Sequence, residues 1–204
     1  MSDVERSGEL PVCIPQLPAR ERGDAVRNRA LLLDAARRLV AERGADAVTM
    51  DDVAAAAGVG KGTLFRRFGS RAGLMMVLLD EDERASQEAF LFGPPPLGPD
   101  APPLDRLVAF GRERMCFAHT HRALLSAANR DPRTRHAPAA AVLRRHVRVV
   151  LASAKTTGDL DAQTDALLAL LDVDYVEHQL TERGHTLATL GDAWESLARK
   201  LCGR

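Results

Sequence analysis

The stretch that decides the fold is TMDDVAAAAGVGKGTLFRRFGSRAGL, residues Thr49–Leu74. Its first part predicts a short helix over 50–57 that follows a capping residue, Thr49. Asp52 stands three residues later, where a carboxylate completes the acidic form of a capping box. A tight glycine turn follows, and a second short helix is expected from Lys61. Because small side chains on the first helix allow close packing of the second, the segment predicts a helix-turn-helix.

The second helix of this segment has two unlike faces. Leu64 and Phe68 are spaced to anchor it to the first helix, and Val59 in the turn adds to that core. The opposite face presents Lys61, Thr63, Phe65, Arg66 and Arg67. A helix of this kind fits the major groove of DNA, where arginine can bond guanine and lysine can bind phosphate. The alternative for the two arginines is an ordinary solvated face.

Charge is distributed unevenly along a chain whose formal net charge is zero. Residues 20–71 hold 11 basic and seven acidic side chains, a balance of +4. From residue 156 to the end, nine acidic residues face only four basic ones. A basic N-terminal part joined to an acidic C-terminal part suits a protein that presents one face to phosphates.

The periodicity of the whole chain predicts an all-α fold, since no alternating strand pattern occurs. Gly44 is expected to end the first long helix. Six prolines between residues 93 and 103 exclude a helix there and predict a loop. About nine helices are expected, over 24–43, 50–57, 61–68, 71–92, 104–118, 121–130, 137–155, 162–183 and 187–201.

These elements predict three parts. Residues 1–20 lack periodicity, hold three prolines and are expected to form a flexible arm. Residues 21–72 form a three-helix domain around the helix-turn-helix. Residues 73–204 form a C-terminal helical bundle.

The composition predicts a cytoplasmic protein without a cofactor. The chain has three cysteines, an odd number without a CxxC pair, which favours reduced thiols. No apolar run approaches the roughly 20 residues that a membrane helix needs. The first residues lack the basic and apolar regions of a signal peptide.

The region from about Arg27 to Leu79 resembles the DNA-binding head of the TetR family of bacterial regulators. The resemblance rests on LLDAARRLVAERG (Leu32–Gly44), TMDDVAAAAGV (Thr49–Val59), KGTLFRRF (Lys61–Phe68) and SRAGL (Ser70–Leu74). It covers about a quarter of the chain, and the combined spacing is specific although no single piece is.

The resemblance implies which positions approach DNA: Thr49, Gly60, Lys61, Gly62, Phe65, Arg66, Arg67 and Arg71. Thr63 joins this set because it lies on the same helix face. The chain departs from the family at two positions. The family usually has tyrosine where Phe65 stands, so a hydroxyl contact to phosphate is lost. Histidine is common where Arg67 stands, so this helix is more basic than usual.

The same resemblance implies a small-molecule pocket and a dimer interface in the C-terminal bundle. Pocket candidates combine apolar surface with a few polar groups, although ordinary core is the alternative for them: Phe110, Arg114, Met115, Phe117, Leu143, Val147, Tyr175 and His178. The last two predicted helices carry more leucine than one antiparallel pair buries. Interface candidates, with packing inside one subunit as the alternative, are Leu167, Val176, Leu180, Leu187, Leu190, Trp194, Leu197 and Leu201.

The sequence gives little support to an enzymatic function. Gly60–Thr63 has the letters of a phosphate-binding loop, but it lacks the earlier glycine, the preceding strand and a Ser or Thr directly after Lys61. His119 and His121 lie two residues apart, so they do not share a helix face and a metal site is not expected. We find no paired carboxylates and no nucleophile with a base.

The sequence therefore predicts a dimeric regulator that binds a near-palindromic double-stranded DNA operator and responds to a small-molecule effector. A repressor is favoured over an activator. The alternatives are a non-specific architectural DNA binder and, from another class, a metal-dependent enzyme with a helical body. The effector, the operator and the regulated genes are beyond what the sequence determines.

Overall fold

The computed structural model describes residues 19–129 and 138–203, and within these ranges it is all-α, as predicted. Residues 1–18 of the predicted arm lie outside the described residues. The ten α-helices of the described ranges are α1 (Ala19–Arg43), α2 (Met50–Ala57), α3 (Lys61–Phe68), α4 (Arg71–Phe92), α5 (Pro103–Thr120), α6 (Arg122–Asn129), α7 (Pro138–Ser153), α8 (Leu160–Ala169), α9 (Val173–Thr181) and α10 (Leu187–Leu201).

The predicted C-terminal ends of the first two helices are confirmed, whereas α1 begins at Ala19, before the predicted Asp24, so residues 19–20 of the predicted arm are helical. Gly44 follows α1 with a φ of 79°, a conformation that glycine adopts without steric cost. Thr49 accepts a hydrogen bond from the Asp52 backbone N–H, and the Asp52 carboxylate accepts one from the Thr49 backbone N–H at 3.0 Å. Gly58 ends α2 with a φ of 65°. Together these residues set the sharp turn between α2 and α3.

Helices α1, α2, α3 and the first turns of α4 share one small core. Its centre is fully buried and includes Leu32, Val53, Leu64 and Leu74. Leu124 from α6 packs against the same core. The predicted boundary between residues 72 and 73 therefore falls within α4, a helix whose beginning is packed in the N-terminal core.

A second core joins the end of α4 to helices α5 to α10. Helix α5 is its centre and contacts α7, α9 and α10. The Phe90 and Phe110 rings meet edge to face there, with ring centroids 5.2 Å apart. The proline-rich residues 93–102 run outside any helix, as predicted, and Pro103 is the first residue of α5.

The single helix expected over 162–183 is wrong, because the chain turns between α8 and α9. The Asp172 carboxylate accepts a hydrogen bond from the Asp174 backbone N–H at 2.9 Å and caps α9. The turn lets α8 pack on α7 while α9 packs on α5 and α6. Neither glycine nor proline marks the break, so apolar periodicity alone suggested a continuous helix.

Helix α10 is docked onto α5 through its tryptophan. The Trp194 indole is 2% exposed, and its Nε1 donates a hydrogen bond to the Leu107 carbonyl at 2.8 Å. The indole lies against Gly111, where any side chain would collide with the ring. The helix is thereby fixed in the body of its own subunit.

This docking places four of the predicted interface residues inside the subunit. Leu167, Val176, Leu190 and Trp194 are buried within the single chain. The reason is that neighbouring helices of the same chain already cover these residues. The other four candidates, Leu180, Leu187, Leu197 and Leu201, are half-buried.

We predict that Gly111→Ala lowers the free energy of unfolding by about 3 kcal/mol, the upper part of the usual cost of overpacking a core. The added methyl group overlaps the Trp194 indole, which cannot move without breaking its bond to Leu107. Urea unfolding followed by circular dichroism measures the change.

Gly62→Ala is the matched control, because Gly62 is exposed, lies in α3 and has no atom near its virtual Cβ. It should raise stability by about 0.5–1 kcal/mol through helix propensity. Equal unfolding midpoints for the two variants would contradict the docking of α10.

Candidate nucleic-acid interface and ligand cavity

Helix α3 has one buried and one exposed face, as the sequence predicted. Leu64 is fully buried and Phe68 is 8% exposed, and both pack in the N-terminal core. On the other side Phe65 is 46% exposed, an unusual exposure for a large apolar ring in a helix. The remaining exposed positions of this face are Lys61, Gly62, Arg66 and Arg67, with Thr63 half-buried beside them.

The ion-pair interactions of Lys61 and Arg66 on this face are weak or absent among the described residues. Lys61 pairs with Asp51 of α2, and both side chains are more than half exposed. Exposed ion pairs contribute little, so a phosphate can replace this carboxylate at small cost. Among the described residues Arg66 forms no ion pair, which leaves its planar guanidinium available for bidentate contacts.

Two predicted residues flank α3 on other elements. Thr49 caps α2, and its hydrogen bonds lower the pKa of the Asp52 carboxyl, so that carboxylate stays ionised. Arg71, at the start of α4, donates to the Val48 carbonyl at 2.8 Å and to the Ala45 carbonyl. Arg71 therefore attaches the turn that precedes α2 to the start of α4. These bonds stabilise the N-terminal domain.

Of the nine predicted DNA-contacting residues, the structure places seven on α3 or its first cap, Gly60. Thr49 and Arg71 lie on the two elements adjoining it. A protruding helix with a basic, exposed face, carried on a compact three-helix core, can enter a DNA groove without exposing the core.

The C-terminal body contains a partly open cavity of about 280 Å³ between α4, α5, α6, α7, α8 and α9. Its walls are mostly apolar with three charged residues. The lining residues are Glu83, Phe110, Arg114, Ala118, Leu125, Ala139, Ala140, Leu143, Leu168, Leu171, Asp172 and Val173.

Three of the eight predicted pocket residues line this cavity, namely Phe110, Arg114 and Leu143. Phe110 and Arg114 both face the cavity because residues four apart on a helix share one face. Met115 and Phe117, on the same helix, point in other directions. Met115, Phe117 and Val147 are buried outside the cavity wall. Tyr175 and His178 lie exposed on α9, where the His178 ring pairs with Glu182.

Charged groups at the cavity are bound to one another. The Arg114 guanidinium is 3.0 Å from the Glu83 carboxylate, donates to the Ser86 hydroxyl at 3.1 Å and lies over the Phe117 ring. Burial raises the pKa of the nearby Glu113 carboxyl, although Arg114 acts against that shift. The guanidinium thus pairs with the half-buried Glu83 carboxylate and acts electrostatically on the Glu113 carboxyl group.

The prediction omitted Glu83 and Asp172, the two acidic residues of the cavity wall. A signal for Glu83 was present in the sequence, since it shares one face of α4 with Ser86 and with the buried Phe90. No such signal existed for Asp172, because the break between α8 and α9 was itself missed.

Residues 81–83 of α4 connect the N-terminal core to the body. Glu81 pairs with Arg29 and, at 3.1 Å, with Arg37 of α1. Asp82 accepts a hydrogen bond from Arg37 at 2.8 Å, and its other oxygen lies 3.5 Å from the His121 ring. Burial alone would lower the pKa of Arg37, but these carboxylates raise it.

The histidines examined for metal binding pair with acids individually. His119 bonds Glu177 at 2.7 Å, whereas His121 faces Asp82 and contacts the Phe117 ring at a tilted angle. Over residues 19–129 and 138–203 no group of three or more His, Cys, Asp or Glu is placed to hold a metal ion. Over the same residues no helix has the length and apolar character that crossing a membrane requires.

Comparison with known proteins identifies the head. The family profile described as bacterial regulatory proteins, tetR family, matches residues 32–76. This segment spans the C-terminal half of α1, all of α2 and α3, and the start of α4. None of the curated proteins matches the chain.

Solved structures with the same fold cover most of the chain. A protein described as a transcriptional regulator from Saccharomonospora viridis, in complex with choline, has a TM-score of 0.67 and 18% identity, over 84% of this chain and 95% of that one. A TetR-family regulator from Rhodococcus sp. has a TM-score of 0.61 and 18% identity, over 87% and 99%. NalD of Pseudomonas aeruginosa, the secondary repressor of the MexAB-OprM multidrug efflux pump, has a TM-score of 0.54 and 18% identity, over 87% and 97%.

The family profile falls on the helix-turn-helix, and most of the chain has the fold of solved regulators of this type. Members of the family are in general DNA-binding regulators and not enzymes. The chain carries, over residues 32–76, a DNA-binding head that matches the tetR family of bacterial regulatory proteins.

Proposed function

We propose that this regulator is a homodimeric repressor that binds a near-palindromic operator through α3 and leaves it when a small molecule enters the body cavity. The observation that carries the proposal is the exposed basic face of α3, held on a buried Leu64–Phe68 anchor. Arg66 is the base-reading residue in this proposal, while Lys61 contacts phosphate.

Residues 81–83 support a coupling between the cavity and the DNA-binding head. Glu83 lies in the cavity wall, while its neighbours Glu81 and Asp82 hold α1. A ligand that competes with Arg114 for the Glu83 carboxylate changes the position of Glu83, and with it the same turn of α4. The effector releases the operator to the extent that it binds this altered state more tightly.

The cavity chemistry favours an apolar effector that carries a basic group. Glu83 and Asp172 outnumber Arg114 among its charged lining residues. Phe110 adds an apolar ring to the same wall. The choline complex of the regulator from Saccharomonospora viridis, which shares this fold, is consistent with such a ligand.

Helices α8 and α10 support a dimer. One face of α8 exposes Ala162, Ala166 and Ala169, at a spacing that allows close helix packing. Helix α10 exposes Ala193 on one side of its docked face, next to the half-buried Leu197. Because two heads related by a two-fold axis read opposite half-sites, a dimer implies a near-palindromic target.

The DNA-binding proposal predicts different effects for two α3 variants. Arg66→Ala should cost about 1–3 kcal/mol on the operator and relax specificity at one base pair. Lys61→Ala should weaken operator and random DNA alike and flatten the salt dependence by about one unit. Operator fragments selected from random duplexes, followed by fluorescence anisotropy at several salt concentrations, provide the measurement.

Arg84→Ala is the matched control, because Arg84 is an exposed arginine on α4, away from α3. It should bind like wild type. If Arg66→Ala behaves like this control, α3 does not read the bases. If wild type prefers no selected sequence over random DNA, the protein is an architectural binder instead.

The coupling proposal predicts a measurable interaction between Arg37 and Asp82. A double-mutant cycle with Arg37→Met and Asp82→Asn should give about 0.5–1.5 kcal/mol in urea unfolding, because both side chains are partly buried and joined at 2.8 Å. The exposed pair Arg38–Asp34 is the control and should give at most about 0.5 kcal/mol. Equal values for both pairs would argue against a special role for Asp82.

The dimer proposal predicts that Ala193→Arg converts the dimer to monomer, because a charge would enter the helix interface. Ala188→Arg is the control, since Ala188 is exposed on the side of α10 where Asp192 and Glu195 pair with Arg112. Sedimentation velocity at micromolar concentration distinguishes the two variants. A monomeric wild type, or a dimer that survives Ala193→Arg, would overturn the proposed interface.

A further inference from the structure

A second recess lies on the other side of α7 from α8, between α7, the end of α4 and the start of α5. Its volume is about 430 Å³. We call it the outer groove, and its lining residues are Leu91, Arg106, Ala141, Val142, Arg145, His146 and Val149. It shares no lining residue with the cavity described above.

Two buried polar atoms of the outer groove have no hydrogen-bond partner. They are the Nε of Arg106 and the Nε2 of His146, and the His146 side chain is 4% exposed. Buried polar groups are nearly always paired, because an unpaired one costs the free energy of its lost hydration. Two such atoms in the wall of one recess indicate a missing polar partner.

The charge of the outer groove is one-sided. Among the described residues, both charged residues that line the groove, Arg106 and Arg145, are basic, and none is acidic. Burial lowers the pKa of Arg106, and no described carboxylate offsets that effect. Burial, with the nearby charge of Arg106, lowers the pKa of His146 to about 4, so the ring is neutral at pH 7.

The arginines on the opposite side of α7 form ion pairs with acidic residues of α8. Arg144 pairs with Asp165 at 2.8 Å, and Arg148 pairs with Asp161 at 3.0 Å. Within the described residues Arg145, which lies between them in sequence, forms no ion pair. Helix α7 therefore presents a neutralised side to α8 and an un-neutralised positive side to the outer groove.

We propose that the outer groove binds a small organic anion, a carboxylate on a short apolar body, at a site separate from the effector cavity. The two guanidinium groups bind the carboxylate, and the neutral His146 ring can donate its single N–H from Nε2 to it. Leu91, Val142 and Val149 contact the apolar body, and Val149 is 42% exposed without it.

The experiment compares two eight-carbon probes on the full-length protein by isothermal titration calorimetry. Octanoate should bind with saturation. Octanol has the same apolar chain without the charge and should bind at least about tenfold more weakly, since charge-assisted hydrogen bonds account for that factor or more.

A pair of neighbouring alanines assigns the site. Ala141 lines the outer groove, whereas Ala140 lines the effector cavity, and both are exposed on α7. Ala141→Trp should abolish octanoate binding, while Ala140→Trp should leave it unchanged. The reverse result would place the anion in the effector cavity and overturn the proposal.

Two arginine variants test the chemistry. Arg145→Gln should weaken octanoate about tenfold, and because Arg145 is exposed the variant keeps the fold. Arg148→Gln, whose side chain faces α8, should bind octanoate like wild type. Equal losses in both variants, or equal affinity for octanol and octanoate, would refute a specific anion site. Loss of the dimer in Arg145→Gln, without octanoate binding to wild type, would show instead that a second copy covers the groove.

Discussion

Helix α4 packs in two hydrophobic cores, that of the head and that of the body. Three consecutive acidic residues near its middle connect the two parts. Successive residues on a helix point about 100° apart, so Glu81, Asp82 and Glu83 reach different partners. Glu81 and Asp82 bind arginines of α1, Asp82 also faces His121, and Glu83 binds Arg114 in the body. Because one helical turn carries all these contacts, the head cannot move relative to the body without rearranging them.

The body is the rigid part relative to which the head would move. Helix α5 lies at its centre, with α10 docked on it through Trp194 and Gly111, and with Phe110 in the wall of the effector cavity. A ligand in that cavity therefore meets a rigid wall on α5. The opposite wall at Glu83 belongs to the helix that carries the head. Differential contacts with these two walls are the physical basis of the proposed release from DNA.

The two recesses of the body have opposite electrostatic character. Of the lining residues that the structure describes, two acids and one arginine surround the effector cavity, whereas two arginines and no acid line the outer groove. They lie on different faces of α7, and the Phe110 and His146 rings, 4.7 Å apart, separate them. The ring contact joins the walls of the two recesses, so occupancy of one can be sensed at the other.

Local signals in the sequence determined the all-α fold, the capped helix-turn-helix and the exposed basic face of α3. Each depends on residues within one turn or one helix, such as the Thr49 cap, the positive φ of Gly58 and the spacing of Leu64 and Phe68. The tertiary structure alone decided that Trp194 is buried, that α8 and α9 are separate, and that only Phe110, Arg114 and Leu143 of the expected set line the cavity. Apolar periodicity states which face of a helix is buried. It does not state which helix covers that face, or whether that helix belongs to the same subunit or to a partner, because that contact joins residues distant in the chain.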